Sequence, residues 1–135
     1  MLKRNGITAE SKEEHVVLEF LDGMGPDLGS FVAAFEARLA EDAVWETVGL
    51  PPRTGRTACV NYLHTLKATT GMEYCAITLH ALASRGTVVF TERDDNMYRA
   101  DGSLIKAFRV GSVIVVEDGL ITRYTDYCDL SSLRG

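Results

Sequence analysis

Apolar residues recur at three- and four-residue intervals through the first half of the chain and at every second residue through the last half. In "SKEEHVVLEFLDGM" (residues 11–24), Val17, Phe20, Leu21 and Met24 form one helical stripe behind a capping box of Ser11 and Glu14. Gly25-Pro26 ends that helix. "DLGSFVAAFEARLAED" (27–42) repeats the spacing with Phe31, Phe35 and Leu39 and predicts a second helix. "AVWETV" (43–48) alternates and predicts a short strand, closed by the loop "GLPPRTG". "TACVNYLHTLKATTG" (57–71) sets Cys59, Tyr62, Leu63 and Leu66 at helical spacing, with Gly71 as its stop. Four β-rich runs follow, at 73–84, 87–98, 104–116 and 120–128, separated by the turn sequences "SRG", "RADGS" and "EDG".

Three helices with one early strand and then a long meander describe an α+β fold. The expected form is a strongly curved mixed or antiparallel sheet wrapped around the N-terminal helices, a cone that encloses a pocket. The length of 135 residues suits a single domain. Residues 1–10, "MLKRNGITAE", read as a flexible tail, and without an apolar h-region they do not predict a secretory signal.

Charge and composition narrow the partners. The formal net charge of −5 argues against nucleic acid and against an anionic membrane surface. No apolar run reaches the length of a membrane-spanning helix. Cys59, Cys75 and Cys128 are odd in number and form no C-x-x-C pair, which predicts reduced, buried thiols, no metal site and a cytoplasmic location.

The run "VVFTERDDNMYRADGS" (88–103) raises a question of chemistry. Alternation puts Val89, Thr91, Arg93, Asp95 and Met97 on one face, and the more polar Glu92, Asp94 and Asn96 on the other. Arg93 and Asp95 therefore point inward, where a charge costs several kcal/mol unless paired. Residues i and i+2 on a strand lie about 7 Å apart, so the two pair only poorly and a third group is expected to bridge them. Asp126, in "LITRYTDYCDL" (120–130), supplies it if Glu117-Asp118-Gly119 is a three-residue turn with Gly119 left-handed, which sets Asp126 opposite Val110. The pattern alone fits either a structural ion network or a carboxylate–arginine–carboxylate site.

The order of elements together with "AEDAVWETVGLPPRTGR", "VVFTERDD", "EDGLITRYTDYCDL" and the closing "LRG" resembles the limonene-1,2-epoxide hydrolase family, from about residue 11 to the end. That family belongs to the nuclear transport factor 2-like, or SnoaL-like, superfamily of α+β cones. The resemblance implies an Asp–Arg–Asp triad of Asp95, Arg93 and Asp126 that opens an epoxide with water. Asp126 would be the base, Asp95 the acid and Arg93 the bridge, with no cofactor and no metal. It further implies a small apolar substrate and a homodimer formed through the outer sheet face, where Val88 and Phe90 would find cover.

The family holds its water with a Y-x-N segment, whereas this chain has Trp45 and Thr47 there. An indole only donates a hydrogen bond, and a threonine hydroxyl is shorter than an asparagine amide. Trp45, Thr47, Phe108 and Val110 are the expected substrate- and water-binding residues. The departure keeps two alternatives open: a proton-transfer isomerase, lyase or cyclase using the same aspartates, and a non-catalytic binder of apolar ligands. His15, His64 and His80 read as solvated or satisfied side chains, and Lys106 and Arg109 have no assigned role.

Overall fold

The computed structural model describes residues 2–129 and Ser131. The closing "LRG" of the resemblance, and Leu130, lie outside the described residues. Three helices, α1 (Lys12–Asp22), α2 (Leu28–Arg38) and α3 (Arg56–Thr70), pack on one face of a seven-stranded mixed sheet. The strands are β1 (Leu2–Lys3), β2 (Leu39–Thr47), β3 (Arg53–Thr54), β4 (Met72–Arg85), β5 (Val88–Arg99), β6 (Leu104–Glu117) and β7 (Leu120–Cys128). They lie in the order β1-β4-β5-β6-β7-β2-β3, as an open, curved α+β cone. Among the described residues no helix is long and apolar enough to cross a membrane.

Local chemistry sets the helix ends. Ser11 caps α1 by accepting from the Glu14 backbone N–H at 3.1 Å, and Glu14 reaches back to the Glu10 N–H at 3.1 Å. Asp27 caps α2 through Ser30, and Gly71 ends α3 in the left-handed region at φ 82°. Phe20, Leu21, Phe35 and Leu63 turn inward and meet Ile77, Val89 and Ile114 from the sheet in one core.

Four expectations need correction. The first ten residues do not form a free tail: β1 pairs in parallel with β4, and Asn5 donates its amide to the Leu79 carbonyl at 3.0 Å. The second helix stops at Arg38 rather than running through "LAED", because Leu39 takes up extended backbone and opens β2. Leu39 is fully buried, so the core satisfies it as a strand residue as well as it would on a helix. The "GLPPRTG" loop contains the short strand β3, paired antiparallel to β2.

The fourth correction decides where Asp126 points. Asp118-Gly119 is a two-residue turn between the paired Glu117 and Leu120, with φ of 53° and 79°. That turn alone would set Asp126 opposite Gly111 and send it outward. A bulge next to the hairpin, between the pairs Val116↔Ile121 and Val115↔Arg123, inserts Thr122 as an extra residue. The parity flips back, and Asp126 faces Ser112 on the inner face instead of the expected Val110.

Candidate active site

Three adjacent strands carry the polar centre. Arg93 of β5 is completely buried, and all its donors are directed at acceptors. Nε donates to Asp95 Oδ1 at 2.8 Å. Nη2 lies 3.2 Å from Asp95 Oδ2, 2.9 Å from Asp126 Oδ1 and 3.0 Å from the Tyr124 hydroxyl. Nη1 donates to Thr91 Oγ1 and to Ser112 Oγ, each at 2.7 Å. The two hydroxyls share a hydrogen bond of 2.5 Å. The expected weak pairing of Arg93 with Asp95 is thus corrected: the long arginine side chain folds back onto its i+2 neighbour and grips both carboxylate oxygens.

A cavity of about 420 Å³ opens above this cluster. Asp95 and Asp126 line it, whereas Arg93 does not and works from behind the carboxylates. The helices contribute Phe31, Phe35, Leu63 and Leu66, and β6 contributes Phe108 and Val110. Trp45 and Thr47 also line it, so the residues singled out from sequence converge on one space. Lys106 reaches the same cavity, while Arg109 points to the outer face and donates to Asp94 at 2.6 Å.

The surroundings of Asp95 perturb its carboxyl. Burial is the largest influence on Asp95 and raises its pKa; Arg93 opposes it and the nearby Asp126 charge adds to it. Asp126 carries a donor on each oxygen, Arg93 Nη2 on Oδ1 and the Trp45 indole N–H on Oδ2 at 3.3 Å. Burial thus favours the neutral form of Asp95 more than water would, and the carboxyls of Asp95 and Asp126 both open to the cavity. Burial, together with the Asp126 charge, also pushes the Tyr124 phenol upward, so it stays a neutral hydrogen-bonding group.

Trp45 is held by other rings. It stacks on Tyr124 with centroids 5.6 Å apart and planes 3° from parallel, and meets Phe35 and Tyr62 edge to face. The Arg53 guanidinium lies over the Trp45 and Tyr62 rings.

Several of these groups carried no role in the sequence reading. Thr91 and Ser112 were detectable only as polar residues at core-facing strand positions. Tyr124 shares the Asp126 face by alternation. Nothing in "GLPPRTG" marks Arg53 as a partner of two aromatic rings. Cys59 and Cys75 are buried, but Cys128 is only half-buried and lines the cavity, contrary to the expectation for all three. His64 is exposed, His15 pairs with Glu19 at 3.0 Å, and His80 pairs with Asp94 at 2.9 Å on the outer face.

Comparison with known proteins bears on this geometry. The family model described as limonene-1,2-epoxide hydrolase catalytic domain matches residues 12–134. The chain is 33 % identical over 95 residues to epoxide hydrolase EphG of Mycobacterium tuberculosis, covering 70 % of this chain and 60 % of that protein, less than two-thirds of its length. Among solved structures, an M. tuberculosis LEH-like epoxide hydrolase superposes with a TM-score of 0.74 at 27 % identity, covering 92 % of this chain and 91 % of the other. An NTF2-like protein of unknown function from Burkholderia pseudomallei K96243 gives a TM-score of 0.74 at 12 % identity, covering 91 % and 95 %, and speaks to the fold alone. With the family model spanning nearly the whole chain, over the strands that carry both carboxyls and the buried arginine, the protein belongs to the limonene-1,2-epoxide hydrolase family.

Proposed function

We propose that the protein opens a small apolar epoxide with water, using Asp126, Arg93 and Asp95. The observation that carries this reading is the pair of carboxyls lining an apolar cavity with one buried guanidinium between them. Asp126 takes a proton from water as the water oxygen bonds to a ring carbon. Asp95, protonated at the start, gives its proton to the epoxide oxygen as the carbon–oxygen bond breaks. The product is a vicinal diol, and the proton left on Asp126 returns to Asp95 through solvent. Arg93 stabilises the carboxylate form of whichever aspartate is ionised at each stage. Each proton transfer contributes roughly 10²–10⁴-fold. The step needs neither a cofactor nor a metal.

Trp45 and Thr47 replace the tyrosine and asparagine of the family pattern, and the Trp45 N–H already occupies one oxygen of Asp126. That observation favours a second reading, in which Asp126 moves a proton on a carbon acid and the enzyme is an isomerase, lyase or cyclase. A ligand-binding role without turnover is the third. We further propose a homodimer through the outer sheet face, where Phe90 is 47 % and Tyr127 48 % exposed. A reducing cytoplasmic setting would keep the three thiols free.

The deciding experiment is turnover of apolar epoxides, limonene and styrene oxides included, in ¹⁸O-labelled water by the native chain, Asp126→Asn and Asp95→Asn. Label in one hydroxyl of a diol, lost with either substitution, is the expected result. No diol from a folded protein would sink the hydrolase reading and turn attention to carbon-acid substrates.

A further inference from the structure

Arg53 stands where a charged side chain is costly. It lies directly across the β2–β3 pair from Trp45. Its guanidinium carbon is 4.2 Å from the centroid of the Trp45 ring and 4.1 Å from that of Tyr62. Among the described residues no carboxylate forms an ion pair with it. Its Nε is buried without a hydrogen-bond partner, and its side chain makes one long bond, from Nη2 to Thr47 Oγ1 at 3.5 Å. The guanidinium is absent from the cavity wall, whereas Trp45, Tyr62 and Thr47 all belong to it.

Arg53 is half-buried, but its sealed, orphaned Nε–H is a cost that a purely structural arginine would avoid by reaching a carboxylate. Two aromatic faces hold it instead, because a cation is drawn to the negative face of a π system. The tie is mutual, and it fixes the tilt of the indole. Tryptophan has one polar atom, so nothing on its own side chain can set the direction of its N–H. Here that direction matters, since the N–H ends on Asp126 Oδ2. The cation also withdraws density from the ring and makes the N–H a better donor.

We infer that Arg53 is a positioning residue that clamps the Trp45 indole with its N–H on the Asp126 carboxylate. It acts through Trp45 and stands off the cavity wall, away from a bound substrate.

The chain has a single tryptophan, so its indole ¹⁵N–H gives one unambiguous NMR resonance. In Arg53→Met, which keeps length and loses charge, that proton moves upfield, in the direction that Asp126→Asn moves it, and exchanges faster with water. Arg53→Lys lies between the native chain and Arg53→Met, and it carries the comparison if the methionine variant does not fold. The kinetic arm rests on the hydrolase reading. There kcat falls about tenfold in Arg53→Met while KM stays within about twofold, since Arg53 does not line the cavity. In a Trp45→Phe background, Arg53→Met produces no further loss. An indole resonance unmoved by Arg53→Met, or additive kinetic losses in the double variant, would overturn the inference. If the native chain opens no epoxide, the hydrolase reading fails and the indole resonance still decides this one.

Discussion

Thr47 and Asp126 are register partners across the parallel β2–β7 pair, so a hydroxyl and a carboxylate project side by side into the cavity. The Thr47 hydroxyl has its proton to give to a third group, and the contact it accepts from Arg53 is long, at 3.5 Å. A water between the two would accept from Thr47 and donate to Asp126, with a lone pair left for attack. Thr47→Val keeps the shape and removes the hydroxyl. It is expected to lower kcat about tenfold, with Thr47→Ser close to the native rate, as steady-state kinetics on an epoxide would measure.

The raised pKa of Asp95 makes a prediction about pH, and its sign is fixed. The folded chain holds the Asp95 proton more tightly than the unfolded chain, whose carboxyl titrates near about 3.9. The stability gained from that proton is therefore complete below the unfolded value and is lost as pH rises through the folded one. Asp95→Asn has no such proton to lose. Relative to the native chain, its unfolding free energy should improve as pH rises above about 4, as urea titrations at successive pH values would show. A difference independent of pH would contradict the shift. On the hydrolase reading, the same titration would set the high-pH limb of epoxide opening, since an ionised Asp95 has no proton to give.

Thr91 and Ser112 both accept from Nη1 of Arg93, so neither is a passive core residue. Thr91→Val or Ser112→Ala leaves a buried charged donor with one acceptor fewer. Each should cost about 1.5–3 kcal/mol in chemical denaturation. The double variant should depart from the sum, because the two hydroxyls also bond each other.

Phe90 and Tyr127 are large side chains left open on the outer sheet face. If that face joins two copies, Phe90→Glu places a charge in an apolar contact and yields a monomer by sedimentation velocity, while the native chain sediments as a dimer. A native monomer would remove the homodimer from the reading.

Much of this architecture is legible in the residue pattern because two periods suffice for it. Phe31 and Phe35 recur as a helix requires, and Arg93 and Asp95 fall on one face by alternation alone. What escaped the pattern depends on single residues or on distant partners. Asp126 reaches the inner face because Thr122 is one residue too many, and no composition cue separates that bulge from a longer turn. Leu39 suits either a helical stripe or a buried strand, so the boundary at Arg38 is set by packing. Arg53 gains its meaning only when α3 brings Tyr62 against Trp45.

Arg93 is absent from the cavity wall, and this divides the labour of the site between two layers. The sheet holds the two carboxyls in a closed lattice of bonds whose hub, Arg93, stays off the cavity wall. The helices furnish shape through Phe31, Phe35, Leu63 and Leu66, which bear no part of that lattice. The contour of the chamber could thus be recut at Phe31, Leu63 or Leu66 without removing a bond to either carboxyl, whereas Phe35 and Tyr62 also pack on Trp45, whose N–H reaches Asp126.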